Sequence, residues 1–158
     1  MYLIIIKDVI SHSLRVMNYT RKLCKEFNIS KKEKTNLIIA ALLHDIGKFM
    51  IPKKTLFKKS QLSIDEKEII NKHSEYSYEI LKWALSKEIL YLIKNHHNLE
   101  EINKNNLIRI LHIADVYDAL TSERVYKKAM SKEDAVKEIE RNLKNKNLDL
   151  NVLYQKTA

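Results

Sequence analysis

The stretch Leu42-Leu43-His44-Asp45-Ile46-Gly47-Lys48 sets an imidazole and a carboxylate side by side at the end of an apolar run. Behind it, Leu37, Ile38, Ala41 and Leu42 recur at helical spacing, and Ser30 with Glu33 three residues on is a capping-box pattern. Burying a carboxylate beside an imidazole is costly unless something compensates the charge. A divalent cation does so, because histidine offers a neutral nitrogen and aspartate an anionic oxygen, a donor mixture that suits iron, manganese or zinc. Gly47 reads as the stop of this helix and as the residue that lets the backbone turn sharply after the two ligands. Lys48 then stands near the metals, where its ammonium can neutralise a phosphate oxygen.

Working outward from this helix, the rest of the chain reads as more helix. It has 158 residues, 45% of them apolar, which suits one domain with one core. A single Gly and a single Pro argue against the many turns of a sheet protein. Helices are expected over about 7–27, 30–47, 63–85, 86–97 and 107–122, with another opening at Ser131 and a short last turn capped by Asp149. Ser63 with Glu66, Ser86, and Ser131 with Asp134 supply start signals. The polar stretch 98–106 reads as a loop. The expected architecture is a single-domain all-α bundle of about six to seven helices over residues 1–158.

Further candidate ligands share the features of the His44-Asp45 pair. Asp8 and His12 lie four apart and so share one helix face. His96-His97 is a second adjacent pair, after the apolar run Ile89-Leu90-Tyr91-Leu92-Ile93. His73 follows Ile69 and Ile70, and Asp115 sits in Ile113-Ala114-Asp115-Val116-Tyr117. His12, His44, Asp45, His73, His96, His97 and Asp115, with Asp8 as an eighth, are too many ligands for one ion. They fit two ions or three. Two ions about 3.5–4 Å apart can clamp a phosphodiester and acidify a shared water. Asp45 is the candidate bridge. His112, three residues before Asp115, reads as structural or as a support to the ligands.

The net charge of +9 suits an anionic ligand, and Lys53, Lys54, Lys58 and Lys59 cluster in one expected loop after Pro52. No aromatic residues interleave with the basic ones, so a nucleic-acid polymer is not the expected partner. The single cysteine, Cys24, excludes an internal disulfide and reads as a buried apolar residue. The run Tyr2-Leu3-Ile4-Ile5-Ile6 is too short to span a bilayer and lacks a basic flank. A cytoplasmic protein with no membrane partner is expected, and the Leu/Ile-rich first helix could support a homodimer.

With these residues in place, the chain resembles the HD superfamily, and within it the HD-GYP branch, from about Asp8 to Leu153. The matching pieces are Asp8-x3-His12-Ser-Leu-Arg15, His44-Asp45-Ile-Gly47-Lys48-x2-Ile-Pro52, His73, His96-His97, and Ala114-Asp115-Val-Tyr-Asp118-Ala-Leu-Thr-Ser122 followed by Arg124-x-Tyr126-Lys127. Leu148-Asp149-Leu-Asn-Val152 is similar to the family's closing Phe-Asp-Pro segment. The resemblance implies an α-helical bundle with a bi- or trinuclear site, most often iron or manganese, with zinc, nickel or magnesium as other occupants. It implies hydrolysis of cyclic di-GMP, with metal ligands at His12, His44, Asp45, His73, His96, His97 and Asp115 and, in trinuclear members, at Asp8. It places catalytic roles on Asp45 and Lys48 and substrate contacts on Lys48, Asp118, Arg124 and Lys127. The chain departs from the family after His97, where Asn98–Asn106 carries no Gly-Tyr-Pro, and at Ser77, where glycine is usual. Two other readings stay open: a different nucleotide phosphohydrolase, and a non-catalytic module that binds a nucleotide or a protein.

Overall fold

Side-chain caps, in place of glycine or proline, start most of the helices. The Glu33 N–H donates to Ser30 Oγ at 3.2 Å while the Ser30 N–H donates to the Glu33 carboxylate at 2.7 Å, and Ser63 with Glu66 repeats the arrangement. Ser86, Asn98, Asn105 and Ser131 each accept an N–H from the first turn of the helix that follows them. A cap of this kind contributes about 1 kcal/mol, so the chain fixes where its helices begin without positive-φ residues.

The computed structural model describes residues 2–58, 60–123, 128–143 and 149–154, with side chains from residue 6 onward. Among these residues are α1 (Tyr2–Leu23), α2 (Lys31–Leu43), α3 (Lys53–Leu56), α4 (Ile64–Asn71), α5 (His73–Leu81), α6 (Lys87–Asn95), α7 (Leu99–Lys104), α8 (Asn106–Thr121) and α9 (Lys132–Asn142). Two 3₁₀ turns, Ile46–Met50 and Leu150–Leu153, complete them, and no strand occurs in the described part. The fold is the all-α bundle the apolar periodicity leads one to expect.

The centre of the bundle is α8, which is apolar on nearly every face, as a helix surrounded by others must be. Ile108, Ile110, Leu111, Ile113 and Ala114 are fully buried there. It packs against α1, α2, α6, α7 and α9. Val16 and Leu23 of α1, Leu37, Ala40 and Ala41 of α2, and Leu92 and Ile93 of α6 close the core around it, and Cys24 is buried among them. Because α8 is central, the acidic residues it carries, Asp115 and Asp118, are delivered to the interior. No described helix is long and apolar enough to cross a membrane. Ile6, Ile10 and Leu14 form an exposed apolar edge along α1.

The lysine-rich loop expected after Pro52 contains the short helix α3, and four further expectations change. The helix expected over 63–85 is two helices, broken at Lys72, whose ψ of −9° takes the chain out of regular α geometry, and it stops at Leu81. The stretch 98–106 contains α7. Asn98 caps it, Ile102 is buried, and Arg109 of α8 donates to the carbonyls of Ile102 and Asn103 at 3.0 and 2.6 Å. A guanidinium on the last carbonyls of a helix satisfies groups that the helix itself leaves open. With only Leu99 and Ile102 apolar, six residues are too few for a period to be visible. The first helix runs from Tyr2 to Leu23 and leaves Phe27 beyond its end.

The fourth change concerns Gly47. The second helix stops at Leu43, and Gly47 lies inside a 3₁₀ turn with no positive φ. Its role is close approach: a Cβ there would sit 2.1 Å from the His73 carbonyl oxygen and 2.5 Å from the Ser77 nitrogen. Both are backbone atoms of α5, so the helix would have to move as a body. Gly47→Ala is therefore expected to destabilise by about 3 kcal/mol or more, at or beyond the upper end of ordinary overpacking. Thermal unfolding followed by circular dichroism measures this, and an unchanged midpoint would contradict the packing described.

Candidate metal centre

Helix ends bring most of the candidate ligands together. His44 is the C-cap of α2, His96 is the C-cap of α6 with His97 next to it, and His73 opens α5. Asp45 enters the 3₁₀ turn that follows α2, while His12 and Asp115 project from the middles of α1 and α8. Carbonyls in the last turn of a helix lack full backbone partners, and three imidazoles use them. His44 Nδ1 lies 2.9 Å from the Ala41 carbonyl, His73 Nδ1 2.7 Å from Ile70, and His96 Nδ1 2.6 Å from Ile93. A carbonyl only accepts, so each Nδ1 carries the hydrogen and donates it. Each Nε2 is then a bare lone pair when the ring is neutral. His112 donates from Nδ1 to the His96 carbonyl at 3.0 Å and so props the His96-His97 turn.

The Nε2 atoms converge. His12 Nε2 is 3.2 Å from Asp45 Oδ2 and 3.1 Å from Asp115 Oδ1, and His44 Nε2 is 3.5 and 3.8 Å from the same two oxygens. On the other side His73 Nε2 is 3.2 Å from Asp45 Oδ1 and 3.3 Å from His96 Nε2, and His97 Nε2 is 3.7 Å from Asp115 Oδ2. Three triads have their donor atoms within 4.8 Å of one another: His12, His44 and Asp115; His44, Asp45 and His96; and His73, His96 and His97. Asp45 turns one oxygen toward His12 and His44 and the other toward His73.

The donor set fits divalent cations. The Nε2 atom of His44 is buried and has no hydrogen-bond partner. His73 and His96 point lone pair at lone pair, an arrangement that repels unless a positive charge lies between them. His44, Asp45 and His96 are at most 1% exposed. Nitrogen and carboxylate donors in this mixture suit iron, manganese or zinc.

Electrostatics sort the groups. Burial by itself would raise the Asp45 carboxyl, but Lys48, His44 and His12 hold it well below the usual carboxylate range. Burial acts the same way on Asp115 and is outweighed by His12 and His44. Burial pushes His73 down, pushes His96 far down with the help of its histidine neighbours, and brings His97, at the solvent edge, down to about 4. His12 goes the other way. Burial opposes its charge, but hydrogen bonds with Asp115, Asp118 and Asp45 raise it to about 10.

Asp118, expected as a substrate contact, is fully buried beside His12. It accepts from His12 Nδ1 at 2.7 Å and from Arg15 Nε and Nη2 at 2.6 and 3.0 Å. It thus orients His12, and Arg15 in turn neutralises it, a support pair of the carboxylate–histidine kind. The sequence hints at Arg15 by its spacing of three from His12 and its place in the matching Asp8–Arg15 piece. Lys48 Nζ lies 2.5 Å from Asp45 Oδ2, near the surface. Asp8 is exposed and belongs to none of the three triads. Lys58 pairs with Glu66 and does not reach the centre. Arg124, Lys127 and Lys59 lie outside the described residues. Ser77, which sequence reasoning noted only as a departure, touches the His44–Gly47 turn directly.

An ion that takes His12 Nε2 must displace the proton that the neighbouring carboxylates hold there. The other ring ligands with lowered values have already lost theirs at neutral pH. Loading with manganese at pH 7.5 is therefore expected to release about one proton through His12, and affinity should rise with pH up to about 10. Calorimetry in buffers of different ionisation enthalpy measures the release, which should vanish in His12→Ala. A pH-independent affinity would contradict the reading.

Comparison with known proteins agrees with this geometry. A family model described as "HD domain" matches residues 9–120. The chain is 34% identical over 145 residues to 3'3'-cGAMP-specific phosphodiesterase 3 of Vibrio cholerae, covering 84% of this chain and 31% of that protein. It is 33% identical over 145 residues to the cyclic di-GMP phosphodiesterase of Thermotoga maritima, covering 82% and 39%. It is 29% identical over 135 residues to the cyclic di-GMP phosphodiesterase response regulator RpfG of Xanthomonas campestris, covering 77% and 36%. The chain thus spans about a third of the length of the curated relatives it matches.

Proposed function

We propose, on the premise that this chain belongs to the HD domain family, that it is a metal-dependent phosphodiesterase that hydrolyses a cyclic dinucleotide, cyclic di-GMP foremost. The observation that carries the proposal is the convergence of His12, His44, Asp45, His73, His96 and Asp115 around a common centre, with each oxygen of Asp45 facing a different group of imidazoles. Relatives named for cyclic di-GMP and for 3'3'-cGAMP support the substrate class.

His12, His44, Asp45, His73, His96, His97 and Asp115 would hold two ions, with iron or manganese the natural occupants of this donor set. Ions there supply Lewis acidity to the phosphoryl oxygens and acidify water. The chain's own residues do the rest. The Nδ1 hydrogen bonds of His44, His73 and His96 keep the Nε2 atoms aimed inward. Asp118 holds His12 from behind. Lys48, partly exposed at the mouth, meets a non-bridging phosphate oxygen as charge develops there. The attacking water gives up a proton to solvent as its oxygen bonds to phosphorus, the bond from phosphorus to the ribose oxygen breaks, and that oxygen takes up a proton from solvent as it leaves. Arg124 and Lys127 are proposed anion contacts on the strength of the family resemblance alone. The exposed edge of Ile6, Ile10 and Leu14 supports a homodimer, and the free, buried Cys24 supports a cytoplasmic setting.

His44→Ala and Asp45→Ala are expected to abolish turnover and to deplete bound metal. Chromatography of cyclic di-GMP hydrolysis, with elemental analysis of anaerobically purified protein, measures both. Wild-type turnover in either variant would refute the proposal. Tight nucleotide binding with no product from the iron- or manganese-loaded protein would favour the non-catalytic reading.

A further inference from the structure

The geometry points to Ser77 as the positioning residue that sets the spacing between the two sides of the metal centre. Ser77 is fully buried in α5, one turn after His73. A serine inside a helix commonly turns its hydroxyl back to the carbonyl four residues earlier, here that of His73. Ser77 instead donates from Oγ to the His44 carbonyl at 2.6 Å and accepts the Gly47 N–H at 2.8 Å. One hydroxyl therefore spans both ends of the His44–Gly47 turn that carries Asp45, using its hydrogen and one lone pair.

The same contact brings the backbone of α5 against Gly47, where the space left would not admit even a Cβ beside the His73 carbonyl. Ser77 so ties His44 and Asp45, at the end of α2, to His73, at the start of α5. The distance at stake is the 3.2 Å between Asp45 Oδ1 and His73 Nε2. Without the hydroxyl the turn loses both anchors, and a shift there moves Asp45 between its two groups of imidazoles. This inference rests on the metal-centre reading and adds a residue that touches no ion.

The test compares manganese binding by the full chain with that of Ser77→Ala and Ser77→Cys, using equilibrium dialysis and the electron paramagnetic resonance of the bound ions. The thiol nearly preserves volume but is a weak donor, so Ser77→Cys stays informative if Ser77→Ala folds poorly. In both variants manganese affinity on the His73 side should fall about 10–100-fold, as for loss of a support to a ligand, and the spectrum of two coupled ions should give way to that of an isolated one. In a His73→Ala background, adding Ser77→Cys should change affinity for the remaining ion less than about threefold, since the spacing no longer matters. Wild-type affinity and coupling in Ser77→Cys, or an equal loss with and without His73, would overturn the proposal. Wild-type protein that takes up no manganese or iron would instead overturn the metal-centre reading on which it rests.

Discussion

Two carboxylates, Asp45 and Asp115, are held inside a helical bundle, and the rest of the structure is arranged around that fact. Each lies almost wholly out of water, where an ionised carboxylate is costly unless positive charge surrounds it. Each nevertheless stays ionised, because imidazoles and, for Asp45, the Lys48 ammonium offset the loss of solvent. A cluster of this kind adds little to stability compared with the apolar packing of α8. The cluster makes sense as a binding place for cations, whose charge would add to that compensation when they are bound.

Helix termini solve the positional problem. A bundle puts its side chains in the interior along helix faces, but a metal centre needs donors from several directions within a few ångströms. Stopping α2 and α6 beside the centre, and breaking the third long helix at Lys72, brings three imidazoles in from helix ends. Each ring then donates Nδ1–H to a carbonyl three residues back in its own chain. One hydrogen bond fixes the tautomer, fixes the ring plane and satisfies a carbonyl in the helix's last turn. His12 comes from mid-helix, has no such carbonyl, and uses Asp118 in its place. That explains why Asp118, although polar and near the ligands in the chain, sits behind them.

The clustering of His44, Asp45, His73, His96 and Asp115 was legible because its chemistry is expensive: a histidine or aspartate at the end of an apolar run or inside one needs a reason. The helices were legible where apolar periodicity is strong, as in α1 and α6, or where a capping box marks the start, as in α2. The break at Lys72 was not, because the two halves keep one continuous pattern and the break serves the placement of His73, a tertiary demand. Helix α7 was not, because its stability comes from the Arg109 guanidinium and the burial of Ile102, neither visible in a six-residue window. Asp8 shares a helix face with His12 by its spacing of four, but it is exposed, one turn from the buried donors. Gly47 was read for its conformational freedom, whereas the structure uses its lack of a side chain.

Gly47 and Ser77 together show what kind of rigidity the centre has. Ligands carried on loops would depend on loop stability, which is commonly the lowest in a fold. Here the turn bearing Asp45 is pressed against the backbone of α5 and bonded through a buried hydroxyl, so its position follows from helix packing. Packed interiors respond to added volume by shifting whole elements, since they are as dense as organic crystals. A change at either residue is therefore transmitted to His44, Asp45 and His73 at once. The geometry that would hold the ions and the packing that holds α2 against α5 are one set of contacts, and neither can be relaxed without the other.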